Sequence, residues 1–232
     1  MSDDLLLRPA TELSRLLHAR ELSARELLEA SIARRDAVDP VLNAVVVRDD
    51  DRARQRAREL DDALLRTGPV GPLHGLPMAH KDLLDAEGLV TSEGSRLFVD
   101  NVARTDSVLA ARARAAGAVR VGKTNVAQLG AGSQTHNPLF GVTRNPYDPT
   151  RTPGGSSGGA AAALATGMVA VADGSDMGGS LRNPASFCNV VGLRPSPGRV
   201  PNVPARDAWF DLSVLGPMGR RAVVWSPELS RS

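Results

Sequence analysis

Residues 151 to 184 read Arg151-Thr-Pro-Gly-Gly-Ser156-Ser-Gly-Gly-Ala-Ala-Ala-Ala-Leu-Ala-Thr-Gly-Met-Val-Ala-Val-Ala-Asp-Gly-Ser-Asp176-Met-Gly-Gly-Ser180-Leu-Arg182-Asn-Pro184. Two serines in glycine frames, Ser156 and Ser180, stand at either end of a run of small and apolar residues. Gly158 to Ala165 reads as a small-residue helix. Met168 to Ala172 reads as a short buried strand, apolar and bounded by turn residues. Each serine is therefore expected in a glycine loop at the end of a regular element. Such loops let backbone approach a ligand closely and can align free N–H groups. A pair of plain surface turns is the competing reading. The Asp176 and Arg182 frame around the second serine is tighter than a linker composition and counts against it.

The chain has 232 residues, 42% of them hydrophobic, enough to bury a sizeable core. Its single cysteine, Cys188, rules out an internal disulfide framework and any multi-cysteine metal site. The start, Met-Ser-Asp-Asp-Leu, is acidic and lacks a secretory pattern. No apolar run approaches the ~18 residues of a membrane span. A cytoplasmic protein without membrane contact is expected. Net charge is +2, and cations and anions alternate, as in Arg52-Ala-Arg-Gln-Arg-Ala-Arg-Glu-Leu-Asp-Asp. That is a solvated helix face, and with 3% aromatic residues the chain is poor material for nucleic acid.

Of 28 basic residues all but Lys81 and Lys123 are arginine. Lysine, unlike arginine, can lose its proton when desolvated and act as a base. Lys81 closes the strand-like Leu76-Pro-Met-Ala-His-Lys-Asp82. The residues leave two readings of it, a surface ion pair with Asp82 or a buried base.

The remaining elements read as scaffold. Residues 5 to 37 suggest two helices, the second opened by the capping box Ser23-Ala-Arg-Glu26 and closed by Asp39-Pro40. Leu42 to Val47 suggests a strand, Asp49 to Leu65 a helix, Ser107 to Ala116 a helix, Ala118 to Val121 a strand and Asn125 to Leu129 a helical turn.

Two motifs mislead. Gly117-Ala-Val-Arg-Val-Gly122-Lys123-Thr124 fits the phosphate-loop pattern, yet Gly117 follows a helix and Ala-Val-Arg-Val reads as the strand itself, so the context is wrong. Gly154-Gly-Ser156-Ser-Gly158 fits a nucleophile elbow, but that arrangement needs its histidine after the serine. All four histidines, His18, His74, His80 and His136, precede Ser156. Nor do they form a zinc pattern.

Together, Gly75-Leu-Pro-Met-Ala-His-Lys-Asp82, Gly117-Ala-Val-Arg-Val-Gly-Lys-Thr-Asn125, Gly132-Ser-Gln-Thr-His-Asn137, Gly154-Gly-Ser-Ser-Gly-Gly159, Gly174-Ser-Asp-Met-Gly-Gly-Ser-Leu-Arg182 and Val191-Gly-Leu-Arg-Pro-Ser-Pro-Gly-Arg-Val200 resemble the amidase signature family of serine hydrolases. The resemblance implies an α/β fold, a mixed β-sheet core flanked by helices. Residues 1–70 would form the N-terminal helical part and residues 71–220 the signature core. It implies a triad in which Ser180 is the nucleophile, Ser156 relays protons and Lys81 is the base, with a cis peptide before Ser156. The backbone N–H groups of Met177, Gly178, Gly179 and Ser180 would form the oxyanion hole, and Asp176 and Arg182 would fix the loop. No metal and no organic cofactor are implied.

The expected partner is a small-molecule amide, with homo-oligomerisation or association through an exposed sheet edge. The family also contains amidotransferase subunits acting on aminoacyl-tRNA. The sequence departs from the family after Gly216-Pro-Met-Gly-Arg220. The chain matches the first half of the family's domain, and residues 221–232 read as a tail unlike it, expected from a changed reading frame or premature end. An amidase and an inactive, partner-binding fragment are the two readings that follow.

Overall fold

The computed structural model describes residues 3–202 and 209–222. The tail expected over 221–232 lies, from 223 onward, outside them.

Three helices open the chain, α1 (Asp3–Leu7), α2 (Ala10–His18) and α3 (Ala24–Leu42). The sequence suggested two. Pro9, which cannot continue a helix, stands at the start of α2 and separates it from α1. Leu13, Leu16, Leu17, Leu27, Leu28 and Ile32 form the buried stripe of α2 and α3. The capping box is present: Ser23 Oγ accepts the Glu26 N–H at 3.1 Å, and the Glu26 carboxylate accepts the Ser23 N–H at 2.9 Å. Asp39-Pro40 does not end α3. The helix runs on to Leu42 and stops at Asn43, in the left-handed region at φ 55°. Proline this close to the C-terminus removes a single ladder bond. Burial of Leu42 and the Asp39 carboxylate, which accepts the Ala44 N–H at 2.6 Å, outweigh that loss.

Strand β1 (Val45–Arg48) leads into α4 (Asp50–Thr67), whose Ala53, Ala57, Leu60 and Leu64 face the core while its charged run faces water. Strand β2 (Pro77–Lys81) is buried at every position. Helix α5 (Val108–Ala115) ends as the sequence suggested. Gly117, at φ 93°, turns the chain, and the Ala118 N–H reaches back to Ala113 O at 3.0 Å. Strand β3 (Val119–Thr124) then passes straight through Gly122-Lys123-Thr124, so the phosphate-loop match is strand.

A small hairpin, β4 (His136–Asn137) with β5 (Gly141–Val142), precedes α6 (Gly158–Ala165), β6 (Val171–Asp176), α7 (Arg182–Phe187), β7 (Val191–Gly192) and β8 (Val214–Gly219). The strand expected over Met168–Ala172 starts later and runs further. Its apolar entry residues are core filling, and pairing extends to the polar end at Asp176.

The main sheet has the order β1-β3-β2-β6-β8-β7. β3, β2 and β6 are parallel, and β1, β8 and β7 run antiparallel to their neighbours. Helix α6 lies against it with Ala160 to Leu164 fully buried, and methyl-sized side chains let the helix approach closely. The mixed sheet flanked by helices is the fold class the sequence suggested. No helix among the described residues is long and apolar enough to cross a membrane. Cys188 is buried and unpaired, and burial pushes its thiol up to about 12.

Candidate active site

The carboxyl ends of the parallel strands β2 and β6 lie beside the N-terminal end of α6, and there the expected residues meet. Lys81, the last residue of β2, is 1% exposed. Its Nζ lies 2.7 Å from Ser156 Oγ and 2.9 Å from Ser175 Oγ. Lys81 is thus no surface partner of Asp82. Asp82 instead pairs with the other lysine, Lys123, at 3.4 Å, and accepts the Ser92 N–H and hydroxyl. The two lysines are both buried but differ in kind: Lys123 faces a carboxylate, Lys81 faces hydroxyls. Desolvation pulls Lys81 down to about 7, against the opposing pull of Asp173 and Asp176. A substantial neutral fraction at neutral pH makes it able to accept a proton.

Ser156 is buried just before α6, and the Gly155–Ser156 peptide is cis. Thr135 Oγ1 ties the loop from both sides, donating to Gly154 O at 2.8 Å and accepting the Gly158 N–H at 2.9 Å. A side chain is excluded at position 155, where a Cβ would lie 2.7 Å from the Gln134 nitrogen.

Ser180 is partly exposed, on the turn between β6 and α7, and its carbonyl accepts the Ser157 N–H at 3.3 Å. Asp176 organises this turn. Its fully buried carboxylate accepts N–H groups of Gly179 at 2.9 Å and Leu181 at 3.1 Å, and it pairs with Arg182 and Arg194. Burial alone would raise its pKa, but the Arg182 guanidinium and these N–H groups hold it well below the ordinary carboxylate range. Of the four N–H groups expected in an oxyanion hole, that of Gly179 is therefore engaged by Asp176. Those of Met177, Gly178 and Ser180 make no hydrogen bond among the described residues. Met177 and Gly178 are exposed, so a ligand can reach this turn.

Three residues near Lys81 escaped the sequence reading: Ser175, Asp173 and His80. Ser175 was read as part of a loop. It is strand, and its contact with Lys81 depends on the pairing of β6 beside β2, which composition does not reveal. Among the described residues no cluster of three His, Cys, Asp or Glu side chains could hold a metal ion. A cavity of about 420 Å³ opens against Met78, His80, Asp106 and Arg120; neither Lys81 nor the two serines line it.

Comparison with known proteins identifies the family and the fold. The family model described as Amidase matches residues 26–226. The chain is 46% identical over 211 residues to a glutamyl-tRNA(Gln) amidotransferase subunit of Moorella thermoacetica, covering 91% of this chain and 43% of that protein. Among solved structures, a bacterial aryl acylamidase of the amidase signature enzymes superposes with a TM-score of 0.91 at 35% identity, covering 96% of this chain and 47% of the other. A 6-aminohexanoate cyclic dimer hydrolase complexed with substrate gives 0.87 at 35% identity, covering 97% and 46%. The chain spans less than half the length of each of these relatives.

Proposed function

The chain belongs to the amidase signature family, and we propose that it hydrolyses a carboxylic amide through an acyl-enzyme on Ser180. The observation that carries the proposal is the buried, readily neutral Lys81 within 2.7 Å of Ser156 Oγ. In this proposal residues 71–220 carry the chemistry and residues 1–70 brace it.

Serine is a weak nucleophile until a base removes its proton. Ser180 Oγ gives its proton to Ser156, which passes its own to the neutral Lys81 amine. The Ser180 Oγ–carbon bond forms, and the carbonyl oxygen becomes an oxyanion facing the N–H groups of Met177, Gly178 and Ser180. The C–N bond then breaks, and the leaving nitrogen takes the proton back from the Lys81 ammonium through Ser156. Water attacks the acyl-enzyme by the same relay, releasing the acid and restoring the Ser180 hydroxyl. Amide and water go in; acid and amine or ammonia come out. Asp176 and Arg182 shape the donor turn and take no part in proton transfer.

A second reading has a specific observation behind it: the likeness to an amidotransferase component. There the same triad would release ammonia for use with a partner protein. Association through the sheet edge beside β7 and β8 suits either reading, since Leu193, Phe210 and Leu212 are about half exposed there. We place this chemistry in the cytoplasm, in keeping with an unpaired, buried Cys188.

The test is a panel of primary amides, including glutamine, and aryl anilides, followed by release of ammonia or arylamine. Turnover in the wild type and none in Ser180→Ala is expected. Equal turnover in Ser180→Ala would overturn the proposal. Release of ammonia from glutamine alone would select the second reading.

A further inference from the structure

The parallel ladder between β2 and β6 is short. It pairs Met78 with Val171 and Ala79 with Ala172, and then stops. On either side pairing runs longer, from Val171 to Asp176 against β8 and from Pro77 to Lys81 against β3. The strands part where the ladder ends, and a side chain takes over the backbone's partner. Asp173 Oδ1 accepts the Lys81 N–H at 2.8 Å, and Asp173 Oδ2 accepts from His80 Nδ1 at 2.5 Å. Both residues are 3% exposed. A carboxylate can only accept, so His80 Nδ1 carries the proton of this bond.

We propose that the His80–Asp173 pair is the positioning element of the base: it fixes the Lys81 backbone where β2 and β6 part, and its carboxylate charge sets how readily Lys81 gives up its proton. The inference rests on the reading of Lys81 as the base. Asp173 and Lys81 are both buried, and a carboxylate acts on a nearby ammonium more strongly in the low-dielectric interior than in water. It offsets part of the desolvation that would otherwise leave Lys81 neutral and its conjugate acid too short-lived to protonate the leaving nitrogen. Asp176, on the same strand, acts in the same sense but is tied to Arg182 and Arg194. Lys123 and Asp82 form a separate pair beside them. His80 and Asp173 were unremarkable in the sequence because each lies one position from a motif residue and their meeting requires the β2–β6 register.

A pair that merely satisfied an orphan N–H would leave the titration of Lys81 unmoved, so the titration is the readout. The chain has two lysines, so labelling the ε-carbon of lysine with carbon-13 gives two NMR resonances, and Lys81→Met assigns them. No substrate is needed. In Asp173→Asn the amide oxygen still accepts the Lys81 N–H, and a neutral imidazole can accept from the amide nitrogen, so the geometry is kept and the charge is lost. The Lys81 titration is expected to fall by about one pH unit. His80→Gln leaves the carboxylate charged with a poorer donor, and the titration is expected to rise. Because the two variants move in opposite directions, either one alone decides should the other fail to fold. A lowered Lys81 in the wild type that neither variant moves would overturn this inference and leave amide hydrolysis standing. An ordinary, unlowered Lys81 in the wild type would overturn the base assignment itself.

Discussion

Lys81 carries the heaviest chemical demand of any residue in the chain. Its proton affinity ties activity to stability through one pH window. Activity needs the neutral amine, so kcat/KM is expected to rise about tenfold per pH unit below about 7 and level off above it, with Lys81→Met losing the limb along with the activity. Stability follows the same group. Between about 7 and 10.5 the unfolded chain holds a proton that the folded chain has released. Stability from this residue is therefore fully present above the unfolded value and is lost as pH falls toward 7. Urea unfolding across that window should show a slope approaching 1.4 kcal/mol per pH unit from this residue, absent in Lys81→Met. Lys81 was legible in the sequence because arginine fills almost every other basic position. Ser175 was not, because a serine among glycines reads as loop. Its hydroxyl holds Lys81 Nζ at 2.9 Å, and Ser175→Ala is expected to lower kcat several-fold with KM little changed in steady-state assays.

Individual elements were readable where local chemistry decides them and misread where packing does. The Ser23 capping box and the Gly117 turn are local, and both appear where expected. Pro40 and the start of β6 were misplaced, because a buried Leu42 and a six-residue pairing with β8 override local signals. The turn after β6 shows how an element builds a site. Asp176 is buried without exposure, and its two oxygens hold Gly179, Leu181, Arg182 and Arg194. Asp176→Ala is expected to cost about 3 kcal/mol by denaturant unfolding, since buried N–H groups lose their acceptor. It should also lower kcat, because the donor turn loosens. Helix α6 makes a converse point. A Cβ at Gly159 would lie 2.5 Å from the Asn125 nitrogen and 2.7 Å from Ala44 O, both backbone, so Gly159→Ala is expected to destabilise by about 1–3 kcal/mol in the same measurement.

At the scale of the whole molecule, the site sits where chain segments far apart in sequence converge. β2 supplies Lys81, the loop before α6 supplies Ser156, and the turn after β6 supplies Ser180. The family was legible from the ordered motifs, and the fold class followed from that resemblance. The sheet order β1-β3-β2-β6-β8-β7 was not, since strand neighbours are set by the buried α6 and by crossovers that leave no periodic trace. Arg220, just after β8, reaches the segment between α1 and α2. Its buried guanidinium donates to Leu164 O, Val169 O and Arg8 O, linking the sheet, α6 and the N-terminal segment. Desolvation pulls it down to about 10, and among the described residues it has no carboxylate partner. Arg220→Met is expected to lower Tm by several degrees and to expose the N-terminal segment to limited proteolysis, because the carbonyls of Leu164, Val169 and Arg8 lose the Arg220 donor.

The central claim is that this chain, less than half the length of its relatives, holds Ser180 as an activated nucleophile. Intact-mass analysis after exposure to a fluorophosphonate tests it without choosing a substrate. The Ser180 oxygen would displace fluoride from phosphorus and leave one covalent adduct. A single adduct on the wild type that disappears in Ser180→Ala is the predicted result. A folded wild-type sample that gains no mass, or an adduct that persists in Ser180→Ala, would contradict it.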